Sequence, residues 1–391
     1  MAIVARGFPG LTFGTTPWSA TDSTTKRAGQ AKEAKEGLAR CWQSFEISDC
    51  AKVTKDIKEE VRRHGFPLSI RADAYFFLSG GSLLQREHPA GTYNHLAAST
   101  SNLSDDAIYN VEDDVRNARV LFKDTRLFST AKGAEVLSRI IFAYIQRNPA
   151  CGYFKGLASI AALLLSTFGK EREEQAFWTL VALLERRFFP VTNGQVLVAA
   201  RVEVHVLQVL LEQRLHALAA PLAKLGPEAM ESLSYGWFLT AFTRVLPHEV
   251  VLRIWDCVVV EGPKVSLRVA MALIKMCASS VQSCTNIDVL CRVVEARLSR
   301  CQDANALLAV AFKGLGSLSG ASVDAARVRA LTAFQRSRST CPAPLALGAT
   351  GSVSGTLSTN SGGSTASGRA ASRHASPRKS PKGMSALLST A

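Results

Sequence analysis

Apolar positions recur at three- and four-residue spacing through most of the middle of this chain. In "GAEVLSRIIFAYIQRN", Val136, Ile140 and Tyr144 stand four apart, with Leu137 and Ile141 beside them. That spacing stacks side chains on one face of an α-helix. Pro149 then ends the segment, because it lacks a backbone donor. "EEQAFWTLVALLERRFF" repeats the pattern through Phe177, Leu180, Leu183 and Leu184, and Val202, Val206, Val209 and Leu210 repeat it again. "EVVLRIWDCVVV" and "SLRVAMALIKMC" predict two further helices, and "NIDVLCRVVEARLSRC" and "DANALLAVAFKGL" carry the last helical signals to near Leu315. Strand-like character is confined to the β-branched run Val258–Val260. Connections are short, so the helices must cover one another's apolar faces. The pattern predicts an all-α fold.

The two ends read differently. Residues 1–25 are rich in Gly, Pro, Ser and Thr and predict a flexible arm. Residues 26–59 predict a leading helix or helices, with Trp42 and Phe45 on one face. A single domain is expected over residues 60–315, broken chiefly by "SGGSLLQREHPAGTYNHLAASTSNLS" at 79–104. Residues 316–391 predict a disordered basic tail. After Pro342 it is Ser, Gly, Thr and Ala with few large apolar groups, too few to offset the entropy of ordering. Its Ser376-Pro377 and Ser380-Pro381 steps read either as phosphorylation sites or as part of a merely flexible cationic segment.

Composition narrows the classes. Of 391 residues, 47% are hydrophobic, which excludes global disorder. The formal net charge is +14, and residues 336–391 supply half of it, with seven Arg and Lys and no acid. Basic residues are not interleaved with aromatics, so no nucleic acid is expected, whereas peripheral contact with an acidic membrane surface is. Nine Cys form no CxxC pair and seven His stand singly, so neither a disulfide framework nor a metal site is expected. A reducing, cytoplasmic setting follows, peripheral on endomembranes where the basic surface engages them. The N-terminus is broken by Pro and Gly before a signal-peptide core could form. The run Gly156–Gly169 falls short of the ~20 residues of a membrane span. Oligomeric state is left open.

The sharpest local feature is "YIQRNPACGYFKGLASIAALLL". A helix ends at Pro149, a turn follows at Gly152, and aromatic-x-Lys-Gly opens an apolar helix. This segment resembles the TBC domain, the GTPase-activating domain for Rab proteins, in which "NPxxGYCQG" precedes such a helix. Asn148, Pro149, Gly152, Tyr153 and Gly156 match, with Phe154 for the usual Cys and Lys155 for the usual Gln. "GFPLSIRADAYFFLSG" resembles a further family motif, Gly-Ile-Pro then Arg-x-x-x-Trp, with Arg71 matching and Tyr75 replacing the Trp. "VEDDVRNARVLF" is similar to I-x-x-D-x-x-R, and "VLRIWDCVVVEG" to the later "RIWDxxxxEG", with Arg253, Trp255, Asp256, Glu261 and Gly262 present. The ordered agreement runs over residues 60–280.

The resemblance implies a mechanism. TBC domains lend a Rab GTPase an arginine finger and a water-positioning Gln, and GTP and Mg²⁺ belong to the partner, so no cofactor of the chain's own is expected. An arginine supplied in trans is worth ~10³–10⁵ in rate. With Val111 and Asp114 on the motif's Ile and Asp, the arginine position holds Asn117, which is neutral and short. Shifted by one residue, Asp113 takes the Asp position and Arg116 becomes the finger; Arg119 could reach the site from a neighbouring turn. Lys155 has three donors and no acceptor, so it cannot hold the attacking water as Gln does. The resemblance therefore implies a Rab-binding regulator of membrane traffic, not itself an enzyme, with weak or lost activating power. Two rivals stand beside it: an activator using Arg116 or Arg119 with Lys155, and a helical scaffold that binds no GTPase. Bland readings also exist. Lys155 reads as a solvated helix-start cation, Asp113 and Asp114 as first-turn acids, Arg71 and Asp256 as structural partners, Trp178, Trp237 and Trp255 as core, and His248 as surface. Tyr153 and Gly156 count as motif residues at the same place.

Overall fold

The apolar run after Gly156 becomes the central helix of the molecule. The structure, a computed structural model, describes residues 47–48 and 52–339, apart from 100–102, 123–124, 126, 129 and 193. The proposed leading helix at 26–45 and the chain beyond 339 lie outside the described residues. Seventeen α-helices follow in order: α1 Lys55–His64, α2 Leu68–Ser79, α3 Gly81–Glu87, α4 Thr92–Ala98, α5 Asp105–Leu121, α6 Ala131–Arg147, α7 Leu157–Phe168, α8 Glu173–Ala182, α9 Val196–Arg214, α10 His216–Lys224, α11 Ala229–Leu239, α12 His248–Glu261, α13 Lys264–Met276, α14 Ala278–Ser283, α15 Ile287–Leu298, α16 Ala304–Lys313 and α17 Gly320–Ser339. No strand occurs among the described residues, and Val258–Val260 is helical within α12. Packing of neighbouring Val side chains inside a buried helix overrides their strand preference.

Helix α7 is buried all round, from Leu157 to Leu165 and again at Phe168. It packs against α5, α6 and α8, and α8 in turn packs on α2 and α3. Trp178, Trp237 and Trp255 are all core residues. No helix among the described residues is long and apolar enough to cross a membrane.

Two expected boundaries are corrected. The break at 79–104 holds two short helices, α3 and α4, separated by Pro89 and Gly91. The domain does not stop at Leu315. Helix α17 packs on α9 through Val323, Arg327 and Ala330. Arg327 is fully buried and makes a two-pronged pair with Glu203, at 2.6 Å from Nε to Oε1 and 3.0 Å from Nη2 to Oε2. A stripe with Arg at its centre has too little apolar character to read as a core-facing helix.

A buried ionic cluster ties the start of the domain to α12. The Arg71 guanidinium donates to both carboxylate oxygens of Asp256, each at 3.1 Å. Tyr75 donates to the same carboxylate at 2.8 Å and the Phe66 backbone N–H at 3.0 Å. Every lone-pair direction of Asp256 is thus engaged, as burial of a charge requires. Gly65 precedes this cluster at φ 74°, and a Cβ there would stand 2.4 Å from Asp256 Oδ2. The Gly-Phe-Pro motif is therefore a close approach of backbone to carboxylate.

Candidate functional site

Helix α5 carries the first candidate residues. Ser104 caps it by accepting from the Ala107 N–H, and Asp105 and Asp106 occupy its first turn. Asp113 and Asp114 lie in its middle, which corrects their reading as first-turn acids. Val111, Asp114, Val115 and Ala118 face inward, while Arg116, Asn117 and Arg119 are exposed. Asp113 accepts from Arg116 Nη1 at 3.2 Å and from Asn117 Nδ2 at 3.1 Å, so one surface carboxylate holds both neighbours. Asp114 accepts a short hydrogen bond from the Tyr153 hydroxyl, which joins α5 to the Gly-Tyr motif. Burial pushes the Tyr153 phenol well above its usual range, the contact with Asp114 adds to this, and the positive charge of Arg244 opposes it.

The segment before α7 is shaped by Gly156. It sits at φ 120°, and a Cβ would meet Thr240 Cγ2 at 2.7 Å. Only Gly fits such backbone and such proximity. Its neighbour Lys155 is exposed, and among the described residues it has no hydrogen-bond or ion-pair partner. Lys155 also sets a cation at the positive end of α7, a placement that helix electrostatics does not reward.

The turn facing Gly156 is unusual. After α11, Ala241 and Phe242 adopt φ 45° and 68°, the left-handed region, although neither is Gly. Such residues cost about 1–3 kcal/mol each and persist only where surroundings over-determine them. Here the surroundings do so. The Trp255 indole donates to the Ala241 carbonyl at 3.0 Å. Thr243 Oγ1 lies 2.7 Å from Ser159 Oγ of α7 and donates to the Thr240 carbonyl at 2.7 Å. The next residue, Arg244, is exposed. At the far end of the turn His248 stacks on Phe122, with ring centroids 3.9 Å apart at 4°, tying α12 to the end of α5. His248 is thus half-buried rather than the surface group expected.

These elements enclose two neighbouring clefts. One, of about 400 Å³, is lined by Asp114, Asn117, Leu121, Gly156, Ser159 and Arg244. The other, of about 390 Å³, is lined by Lys155, Trp237, Thr240, Arg244 and Glu295 among others. Asn117 and Lys155 therefore face adjoining clefts, and Arg244 lines both. Arg116 and Arg119 line neither. Arg71, Tyr75, Trp255 and Asp256 sit apart from the clefts as buried structure. Sequence reading passed over Arg244, whose one signal is a lone cation between the apolar stretch "WFLTAF" and "VLP". The exposed apolar side chains Tyr109, Val120 and Leu121 lie on the helix that carries Asn117.

The family described as Rab-GTPase-TBC domain matches residues 69–281, more than half of the chain. Growth hormone-regulated TBC protein 1 of Homo sapiens is 30% identical over 276 residues, covering 69% of this chain and 79% of that protein. TBC1 domain family member 2A of Rattus norvegicus is 32% identical over 194 residues, 49% of this chain, and the chain spans only 20% of that protein's length. Among structures, the Chlamydomonas flagellar RabGAP TBC domain shares the fold at TM-score 0.60 and 24% identity, covering 75% of this chain and 96% of that one. The Ypt/Rab-GAP domain of Gyp1p shares it at TM-score 0.57 and 15% identity, covering 72% of this chain and 98% of that one. These matches overturn the reading of the chain as no enzyme. The matched family is that of Rab GTPase-activating (RabGAP-TBC) domains, a class whose members accelerate GTP hydrolysis.

Proposed function

The chain belongs to the Rab-GTPase-TBC domain family, whose members regulate Rab GTPases in membrane traffic, and on that basis we propose that it docks a GTP-loaded Rab-family GTPase over the two clefts and accelerates its hydrolysis only modestly. The observation that carries this reading is the convergence of the exposed face of α5, the Lys155–Gly156 segment and the 240–246 turn on adjoining clefts. Val120 and Leu121 beside them offer apolar contact of the sort a protein partner covers. The burial of Val111 and Asp114 favours the register that puts Asn117 at the arginine position. Arg116 is held by Asp113 outside the clefts, which counts against its use as a finger.

Attenuation follows from the chemistry of the two positions. Asn117 supplies no charge to offset the negative charge spread over the transferring phosphoryl group. Lys155 supplies charge but accepts no hydrogen bond, so it cannot orient the attacking water. The body's positive charge and that of residues 336–391 support a second element of the proposal, peripheral contact with acidic membranes.

The test is single-turnover GTP hydrolysis across a panel of Rab-family GTPases. Acceleration of about 10–100-fold on at least one of them is expected. Acceleration in the ~10³–10⁵ range of a fully supplied finger would overturn the attenuation. Failure to bind every GTP-locked member would overturn the partner assignment.

A further inference from the structure

We propose that Arg244 is the arginine this chain directs at the phosphates of the bound GTPase, in place of the cation missing at position 117. The inference rests on the docking reading above and adds a residue to it.

Position is the first argument. Arg244 lines the cleft of Asn117 and also the cleft of Lys155, and no other residue named at either cleft lines both. A side chain there reaches a phosphate presented on either side. Availability is the second. Of the carboxylates nearby, Asp114 is engaged by Tyr153 and Asp113 by Arg116 and Asn117, while Glu295 shares the Lys155 cleft with Arg244 without forming an ion pair with it. Arg244 itself has no hydrogen-bond or ion-pair partner among the described residues. Its guanidinium is an exposed five-donor fork with nothing bound to it, the group best matched to phosphate oxygens.

Preorganisation is the third argument. The turn that presents Arg244 is strained at Ala241 and Phe242 and is held by the Trp255 indole, by the Ser159–Thr243 contact and by the approach of Gly156 to Thr240. The turn is buried at Ala241, Phe242 and Thr243 and emerges at Arg244, and strain of this kind clusters at functional sites. The same contacts couple the turn to α7, and the His248–Phe122 stack couples its far end to α5. The backbone that carries Arg244 is therefore held relative to both helices that carry the two motif positions.

The step it serves is hydrolysis of GTP on the partner. The oxygen of water forms a bond to the γ-phosphorus, and the bond from that phosphorus to the β,γ-bridging oxygen breaks. GDP departs with the electron pair, and the proton lost by water ends on the phosphate product or in solvent. Arg244 donates hydrogen bonds to the bridging and γ-oxygens as charge gathers on them; it gives up no proton and forms no covalent bond. Lys155 adds diffuse positive charge from the neighbouring cleft but lacks the planar fork.

The test uses the full chain with a GTP-loaded Rab-family GTPase that it binds. Arg244→Ala is expected to return single-turnover hydrolysis to the GTPase's intrinsic rate. Arg244→Lys is expected to keep a part of the acceleration, because charge survives and the fork does not. Because Arg244 is exposed and unpartnered, thermal unfolding of Arg244→Ala should match that of the natural chain. Binding to the GTPase loaded with a non-hydrolysable GTP analogue should survive the change. Complex formation with the GDP and aluminium fluoride form, which mimics the transition state, should weaken at least tenfold. Full acceleration by Arg244→Ala overturns the proposal, as does a natural chain that binds but gives no acceleration. Equal loss of affinity for both nucleotide forms would also overturn it, by making Arg244 a docking contact. Absence of binding by the natural chain would instead strike the function proposed above.

Discussion

In the proposed register, Asn117 and Lys155 stand at the arginine and glutamine positions and lack the two properties the chemistry needs, charge at one and an acceptor at the other. Asn117→Arg with Lys155→Gln should therefore raise single-turnover hydrolysis on any Rab-family GTPase the chain binds, by about 10²-fold or more. The two changes act on one transition state, so the pair is expected to exceed the product of the single changes, which a four-way comparison of rates checks. His248 permits a pH prediction. Burial holds its imidazole below its ordinary value of 6.5, with Glu249 opposing. The unfolded chain then binds a proton more readily than the folded one. Its contribution to stability is complete above about pH 6.5 and declines as pH falls through the lowered folded value. His248→Phe should keep the stack on Phe122 and flatten the denaturant midpoint between pH 7 and 5; an unchanged slope would show that other groups dominate there.

Among the elements, α17 has the clearest energetic consequence. Its Arg327 neutralises Glu203 in the interior, and removing one partner of a buried pair costs about 3–5 kcal/mol because the other charge is left without compensation. Arg327→Ala, or a chain ended at Gly316, should lower the thermal midpoint by several degrees or more. Arg327→Met combined with Glu203→Leu should recover most of the loss, since a packed apolar pair needs no compensation. Differential scanning calorimetry of the four chains settles the point. The turn after α11 makes a second case at this scale. Gly156→Ala forces a Cβ against Thr240 at a backbone angle that L-residues avoid, so it should shift the turn and reduce hydrolysis even where the protein stays folded.

For the whole molecule, charge is the property that acts at a distance. Its formal excess of +14 is half contained in residues 336–391. Sedimentation with phosphatidylserine vesicles should show binding that weakens as ionic strength rises from 50 to 300 mM, values chosen to shorten the screening length across ~10 Å. A chain ended at residue 335, without the seven tail cations, should bind more weakly at every ionic strength. Binding that is indifferent to salt would rule out an electrostatic attachment.

Helical periodicity and the motifs carried the fold class. Val136, Leu137, Ile140, Ile141 and Tyr144 can share a face only in a helix, and an uncharged run such as Leu157–Leu165 has no stable place but the centre. The Gly residues at 65 and 156 stood in the sequence only as motif positions, and their close backbone approaches appear in the structure. Helix α17 stayed hidden because an Arg fills the middle of its buried stripe, and an Arg is inward-facing only when a distant Glu203 is there to meet it. Arg244 stayed hidden for a related reason. Nothing within "FLTAFTRVLP" states that Trp255 and Ser159 hold the turn or that α5 and α7 open clefts on either side of it. Local spacing determines which face of an element is apolar. Which charged groups end up buried and paired, and which stand unpartnered beside a cleft, depends on residues far apart in the chain and is decided only when the helices pack.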